Sequence, residues 1–237
     1  MRVQNLMVDK GSFFNYAGIT FLILAVVMSS LLFRAIAVHE DEDYIQNGDE
    51  LDYEDFEDQD SIQICCAWGD EIEDGTLTYI IDEESSQLRE AVYNSIEEWD
   101  AKIEGLTFEE VSNRRSADVE IDFREDGGHK AGETRNYFDG YGFLTKSSII
   151  ISKAAFGFGF NIHLLEQIIK HEIGHVLGLA HSTFDGSLMT RNVNPYVGSV
   201  SDCEINAVYK AQHWKLEEDS SFPDYPEQEY VECSTKK

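Results

Sequence analysis

Hydrophobic and polar positions in the middle of the chain follow two periods, which predict strands and a long helix. Residues 77–81 form the first predicted strand. Apolar residues then recur at helical spacing behind a serine N-cap, at Ser85 or Ser86. The residues of this helical pattern are Leu88, Val92, Ile96 and Trp99.

Further strands are predicted over the next fifty residues. Residues 106–111 and the alternating Val119, Ile121 and Phe123 each fit a strand, and residues 149–151 are an apolar run suited to a buried one. A glycine-punctuated stretch, residues 127–141, separates them.

The N-terminal 38 residues are predicted to be a targeting segment. Residues 16–33 form an unbroken run of low polarity, roughly 27 Å long as a helix, which nearly spans the hydrocarbon core of a bilayer. Basic residues precede the run and an acidic block follows it, so the positive-inside rule places the rest of the chain outside the cytoplasm. A membrane anchor is favoured, and a signal peptide cleaved near residues 35–37 stays open.

Two acidic segments flank the predicted domain. Residues 39–60 are mostly Asp and Glu and cannot bury enough apolar surface to fold alone, so they are interpreted as a solvated spacer. Calcium binding, or occupation of an active-site cleft, is the functional alternative for this block, although no EF-hand spacing is present. Residues 217–237 form a similar acidic tail. One domain, residues 61–216, lies between them.

Composition excludes some partners. The formal net charge of −28 argues against nucleic acid and against anionic membrane surfaces, because both would repel the chain. A chain of 237 residues with 42% hydrophobic content is sufficient for one compact domain, which we expect to be a monomer.

A histidine motif carries the chemistry. His171 and His175 are one helical turn apart, so both imidazoles can reach one metal ion, and Glu172 can reach a water on that metal. Gly178 can end the helix in the left-handed conformation and bring His181 back as a third ligand. Three protein ligands leave a coordination position open, which is typical of a catalytic zinc.

Met189 adds a second element, because a methionine in a tight turn beyond HExxHxxGxxH completes a known protease pattern. With it the chain resembles the metzincin metalloproteases and, within them, the matrixins, the family of the matrix metalloproteinases. The His181-Ser182 step, the strand at residues 77–79 and the helix start at residues 201–208 share this resemblance, which covers residues 77–214.

The resemblance implies an α+β, metzincin-like zincin fold. It has a twisted, mixed five-stranded sheet, three helices and a zinc cleft between an upper and a lower subdomain. It also implies an edge strand where an extended peptide substrate pairs with the main chain. The candidate residues for that strand are Gly132, Glu133, Thr134, Arg135, Asn136 and Tyr137.

Four cysteines lie beyond the apolar N-terminal run, where thiols can be oxidised: Cys65, Cys66, Cys203 and Cys233. Adjacent cysteines rarely pair with each other, so bonds from the Cys65-Cys66 pair to Cys203 and Cys233 are predicted. Free buried thiols, and a thiolate from Cys65 or Cys66 that caps the zinc, are the alternatives.

The sequence therefore predicts a membrane-anchored or secreted zinc endopeptidase that acts on extracytoplasmic proteins or peptides. Zn²⁺ is the expected cofactor, with one catalytic ion, and Ca²⁺ is kept open. Two other functions compete with this prediction: a surface binding module with a structural zinc, and a metal hydrolase with a non-protein substrate. Glu172 favours the enzyme, because a structural zinc has no use for a carboxylate beside an open position.

Overall fold

The computed structural model describes residues 60–125, 130–156, 161–192 and 198–234. The predicted targeting segment and all but the last residue of the acidic spacer lie outside these ranges. None of the helices in the described ranges has the length and apolarity that a bilayer crossing requires.

A mixed five-stranded sheet forms one half of the fold. Its strands follow the order β3-β2-β4-β6-β5. The pairs β2/β3, β2/β4 and β4/β6 are parallel, whereas β5 runs antiparallel to β6 and forms an edge. The bounds are β2 Thr76–Asp82, β3 Thr107–Glu110, β4 Val119–Arg124, β5 Gly132–Phe138 and β6 Leu144–Ser152.

Three helices of ten residues or more accompany the sheet in the described ranges, which confirms the predicted α+β class. They are α1 Ser86–Asp100, α2 Ile162–Val176 and α3 Asp202–Ala211, and the one-turn helix α4 His213–Leu216 follows α3. Ser85 is the N-cap of α1, as predicted, but its side chain makes no capping hydrogen bond.

A second sheet of three short strands, β7-β1-β8, was not predicted. It joins β1 Ser61–Ile64 antiparallel to both β7 Leu179–Ser182 and β8 Tyr230–Glu232. Part of the acidic C-terminal tail therefore pairs with the start of the domain.

Tryptophan side chains attach the helix α2 to the rest of the core. Trp68, Trp99 and Trp214 are all fully buried. The indole of Trp99 donates to the carbonyl of Lys170 at 3.1 Å, and that of Trp68 donates to the carbonyl of Val176 at 2.8 Å. Buried indoles need such partners. Both ends of the motif-bearing half of α2 are thus fixed by large buried rings.

The predicted disulfide connectivity is wrong. Cys203 is bonded to Cys233 and Cys65 to Cys66, so no described cysteine is a free thiol. The register of β8 explains the difference, because the amide of Cys233 donates to the carbonyl of Asp60 at 2.7 Å. Cys65 is five residues further along, roughly 16 Å in an extended chain. Disulfides need Cα atoms within about 7 Å of each other.

Candidate active site

Helix α2 carries two of the predicted zinc ligands on one face. The Nε2 atoms of His171 and His175 lie 3.1 Å apart. The Nδ1 atom of His171 is 2.7 Å from the carbonyl oxygen of Leu188, and that of His175 is 2.8 Å from the carbonyl oxygen of Leu179. A carbonyl only accepts hydrogen bonds, so each Nδ1 carries the ring proton. Both Nε2 lone pairs therefore face the same space.

Gly178 brings the third histidine to this space, as predicted. Helix α2 ends at Val176, and Gly178 adopts the left-handed region with φ 91°. A Cβ there would also lie 2.2 Å from the carbonyl oxygen of Cys66, so the position excludes a side chain for two reasons. The strand β7, which contains His181, begins at the next residue.

The three imidazoles fit a zinc ion. The potential ligand atoms of His171, His175 and His181 all lie within 4.8 Å of one another. Zinc with nitrogen ligands at about 2.1 Å separates those ligands by roughly 3.4 Å, so small ring rotations complete the set. Burial and the nearby His175 ring lower the pKa of His171 to about 4 and that of His181 to about 3. Both rings are neutral near pH 7, the form that binds metal.

Glu172 is a buried carboxylate, 5% exposed, between the two helical histidines. The Thr134 hydroxyl, on β5, donates to its Oε2 at 2.7 Å. Burial raises the pKa of Glu172, against the opposing effects of His171 and of the Thr134 hydrogen bond. Gly132 lies against the same carboxylate, since a Cβ at that position would stand 2.4 Å from Oε1.

Met189 lies directly under the histidine helix. Its side chain is fully buried, and a Cβ added to Gly174 would stand 2.3 Å from its sulfur. Gly174 lies between the two helical histidines in sequence, so its missing side chain makes room for the methionine. The buried methionine therefore packs against the helix segment between His171 and His175.

The turn that carries Met189 is held by a residue that the sequence analysis did not single out. Glu204, on α3, is fully buried, and its Oε1 accepts hydrogen bonds from the Ser187 hydroxyl at 2.6 Å and the Leu188 amide at 2.8 Å. Its Oε2 accepts from Ser201 in a capping box. Because the Leu188 carbonyl orients His171, Glu204 supports the metal site indirectly.

The candidate substrate strand coincides with β5. Residues 132–137 all lie in this strand, which pairs with β6 on one side and is the last strand of its sheet. Asn136 donates from Nδ2 to the carbonyl of His175 at 3.2 Å, and Thr134 bonds to Glu172. The structure thus joins the edge strand to the histidine helix at two points.

The contacts that Glu204, Thr134 and Gly132 make at the site were not identified from the sequence. The capping-box spacing Ser201-x-x-Glu204 was a usable signal for a structured helix start. The spacing does not indicate that Glu204 also holds the turn of residues 187–189, which orients His171. Thr134 and Gly132 carried no signal, because their roles depend on how β5 crosses α2.

Comparison with known proteins agrees with the motifs. The Matrixin family model matches residues 67–208. Matrix metalloproteinase-26 of Homo sapiens is 31% identical over 141 residues, covering 52% of this chain and 50% of that protein. The chain thus spans about half the length of this curated relative.

Two solved structures of myroilysin are also similar to part of the chain. One has a TM-score of 0.36 at 16% identity and covers 51% of this chain and 54% of that chain. The other has a TM-score of 0.33 at 18% identity and covers 45% and 44%.

The range matched by the family model is more than half of the 237 residues. The predicted resemblance is therefore confirmed, and the chain belongs to the matrixin family of metallopeptidases.

Proposed function

We propose that the chain is a zinc-dependent endopeptidase in which His171, His175 and His181 hold the metal and Glu172 is the general base. The observation that carries this proposal is the convergence of three imidazoles beside one buried carboxylate. When bound, zinc supplies the Lewis acidity that activates water at neutral pH and polarises a carbonyl.

Glu172 moves the proton in this proposal. The Thr134 hydroxyl occupies Oε2, so Oε1 is the oxygen placed to take a proton from the attacking water and return it to the leaving amine. Gly132, on the same strand as Thr134, also packs against the carboxylate and restricts its movement. A base held by two contacts needs little reorganisation at the moment of reaction.

The substrate is proposed to be an extended peptide that adds to the open edge of β5. Edge strands present unpaired main-chain groups, and peptides use them by β-augmentation. Support comes from the position of β5 at the end of its sheet and from its hydrogen bonds to α2, which set the strand beside the histidines. The catalytic residues and the binding strand are therefore adjacent.

We further propose that the enzyme acts outside the cytoplasm. The Cys203–Cys233 bond supports this, because structural disulfides form and persist in oxidising compartments. The proposed anchor or signal at residues 16–33 stays a prediction from the sequence, as does a role for calcium.

The proposal is tested with two variants of the purified chain. Glu172→Gln removes the base but keeps its shape, so peptide cleavage is lost while the zinc content equals that of the wild type. His181→Ala removes a ligand, so zinc and cleavage fall together. Glu97→Ala, at an exposed position of α1, is the control and should change neither.

A structural zinc in a binding module gives a different result. In that case Glu172→Gln has no functional effect, and no peptide library is cleaved by the wild type with or without a chelator. Cleavage by Glu172→Gln at near wild-type rate would show that the general base is another residue.

A further inference from the structure

A second group of metal-binding side chains lies in the C-terminal part of the described chain. His213, Glu218 and Glu227 each offer a potential ligand atom, and these atoms lie within 4.8 Å of one another. His213 begins α4, Glu218 follows that helix, and Glu227 belongs to the segment that leads into β8. The proposed peptidase mechanism uses none of them.

The imidazole of His213 points to a missing ligand. The residue is 4% exposed, and its Nδ1 is buried without a hydrogen-bond partner. Leaving a buried polar group unpaired costs about 1–3 kcal/mol. Such atoms in native proteins generally have a partner, an ordered water or an ion. A buried ring nitrogen without a partner, on a residue that also belongs to a ligand cluster, is most simply completed by a cation.

The other two members of the group are surface carboxylates. Glu218 and Glu227 are exposed, and neither side-chain carboxylate forms an ion pair or a hydrogen bond with another residue that the structure describes. The neighbouring Glu217, by contrast, is paired with Lys210 at 3.0 Å. Two negative side chains held close together repel each other unless a positive charge lies between them.

The backbone fixes these residues in a chain reversal. The amide of Glu218 donates to the carbonyl of His213 at 2.9 Å, which sets the two residues side by side. Asp219 then adopts a positive φ of 50° and turns the chain. Glu227 lies on the returning segment, which is secured beyond it by β8 and by the Cys203–Cys233 bond.

We propose that His213, Glu218 and Glu227 bind a divalent transition-metal ion, with Zn²⁺ the best match, which ties the C-terminal segment to α4. One imidazole and two carboxylates are ordinary zinc ligands, and two carboxylates neutralise a dication. Ca²⁺ prefers sites built of oxygen alone, so the histidine disfavours it. This proposal does not depend on the proposed function.

The test uses the full-length, oxidised chain, loaded with Zn²⁺ and freed of excess metal. The wild type should retain about two zinc ions per chain, and the Glu218→Gln/Glu227→Gln double variant about one. Both substituted residues are exposed, so the variant should fold. Glu229→Gln, which removes one negative charge from an exposed position of the same segment, is the control and should retain as much zinc as the wild type.

Hydrogen exchange gives a second readout. Zinc should slow exchange of the amides of residues 217–229 by about tenfold or more in the wild type and have no effect in the double variant. Equal zinc content in the wild type and the double variant would overturn the proposal. Protection of these amides by Ca²⁺ alone would overturn the assigned class of ion.

Cleavage assays separate this proposal from the proposed function. The double variant should cleave peptides at the wild-type rate, because it keeps the three-histidine site. A wild type that binds two zinc ions but cleaves nothing would contradict the peptidase assignment and leave the second site standing.

Discussion

The α-carbon of Gly132 lies against the carboxylate of Glu172, with no room between them for a side chain. A Cβ at position 132 would stand 2.4 Å from Oε1 and 2.9 Å from both Cγ and Cδ of the glutamate. No real Cβ makes such contacts, so one of the two residues would have to move.

Gly132→Ala should therefore displace the general base. A shift of about 1 Å at a catalytic group costs on the order of a hundredfold in rate, so kcat/KM for a peptide should fall by about that factor. Zinc content should be unchanged, because no histidine is touched. Gly140→Ala is the control, since a Cβ there meets nothing within 4 Å. Unaltered kcat/KM in Gly132→Ala would contradict the role given to Glu172.

Substitution of Thr134 should lower kcat and leave KM little changed. Thr134→Val keeps the shape of the side chain and removes the 2.7 Å hydrogen bond to Oε2 of Glu172. Hydrogen bonds to charged groups contribute about 1.5–3 kcal/mol, so kcat should fall by about tenfold or more, with KM little changed. Steady-state kinetics on one peptide measures both.

Thr134→Ser tests whether the hydroxyl is the cause. It restores the donor without the methyl group, and kcat should return to near the wild-type value. If the serine and valine variants were equally slow, packing of the strand, and not the hydrogen bond, would explain the loss.

Substitution of Glu204 should lower both the stability of the fold and its affinity for zinc. Glu204→Gln places an amide donor where one oxygen now accepts from Leu188 or Ser201. We expect a loss of about 2–3 kcal/mol, which lowers Tm by several degrees, together with weaker zinc binding, because the turn that orients His171 is loosened. Asp202→Asn, an exposed change on the same helix, should do neither. Calorimetry and zinc titration measure the two effects, and a lower Tm with unchanged zinc affinity would separate Glu204 from the metal site.

The ion pair between Glu83 and Lys153, which is distant in sequence from the metal ligands, should make the stability of the fold depend on pH. Burial opposes ionisation of Glu83, but the ion pair with Lys153 at 2.7 Å and the hydrogen bonds from the amides of Ser85 and Glu84 together outweigh it and lower the pKa of the carboxyl. A carboxyl whose pKa is lower in the folded state than in the unfolded state stabilises the fold at pH values above its unfolded-state pKa, about 4.3. This stabilisation is lost as the pH falls through the folded-state pKa. Glu83→Gln should therefore lower Tm at pH 7 and not at pH 3.

Chelator in all samples removes any contribution from metal. Glu84→Gln, an exposed neighbour, should match the wild type throughout. A Tm difference between Glu83→Gln and the wild type that is the same at both pH values would contradict the assigned pair.

Residue spacing and hydrophobic periodicity were sufficient to predict the parts of the fold that depend only on residues close together in sequence. The spacing of His171 and His175 places them on one face of any helix, and Gly178 has the conformation that its position requires. The long helix α1 and the strands β2, β3 and β4 begin and end close to where periodicity placed them, whereas β6 begins at Leu144, five residues before the predicted apolar run. Residues 132–137 were assigned to an edge strand from family resemblance, and they form β5.

The same reasoning could not predict which strands and cysteines that are distant in sequence pair with each other. Strands β1, β7 and β8 contain four, four and three residues, too few for a period to be recognised. Cysteine connectivity was mispredicted for this reason, because it depends on which residue of β1 lies opposite Cys233. Thr134 and Gly132 contact Glu172 although they are distant from it in sequence, so only the packing of β5 against α2 reveals them.

The small sheet β7-β1-β8 has a consequence for the order in which the molecule is completed. It joins the first and last strands of the described chain to the strand that carries His181. Contacts between such distant segments form late, whereas the helix that carries His171 and His175 needs only local contacts. A nascent chain can thus hold two ligands well before the third is secured. The complete three-histidine site, and with it any activity that depends on the metal, would then appear only after the small sheet has formed.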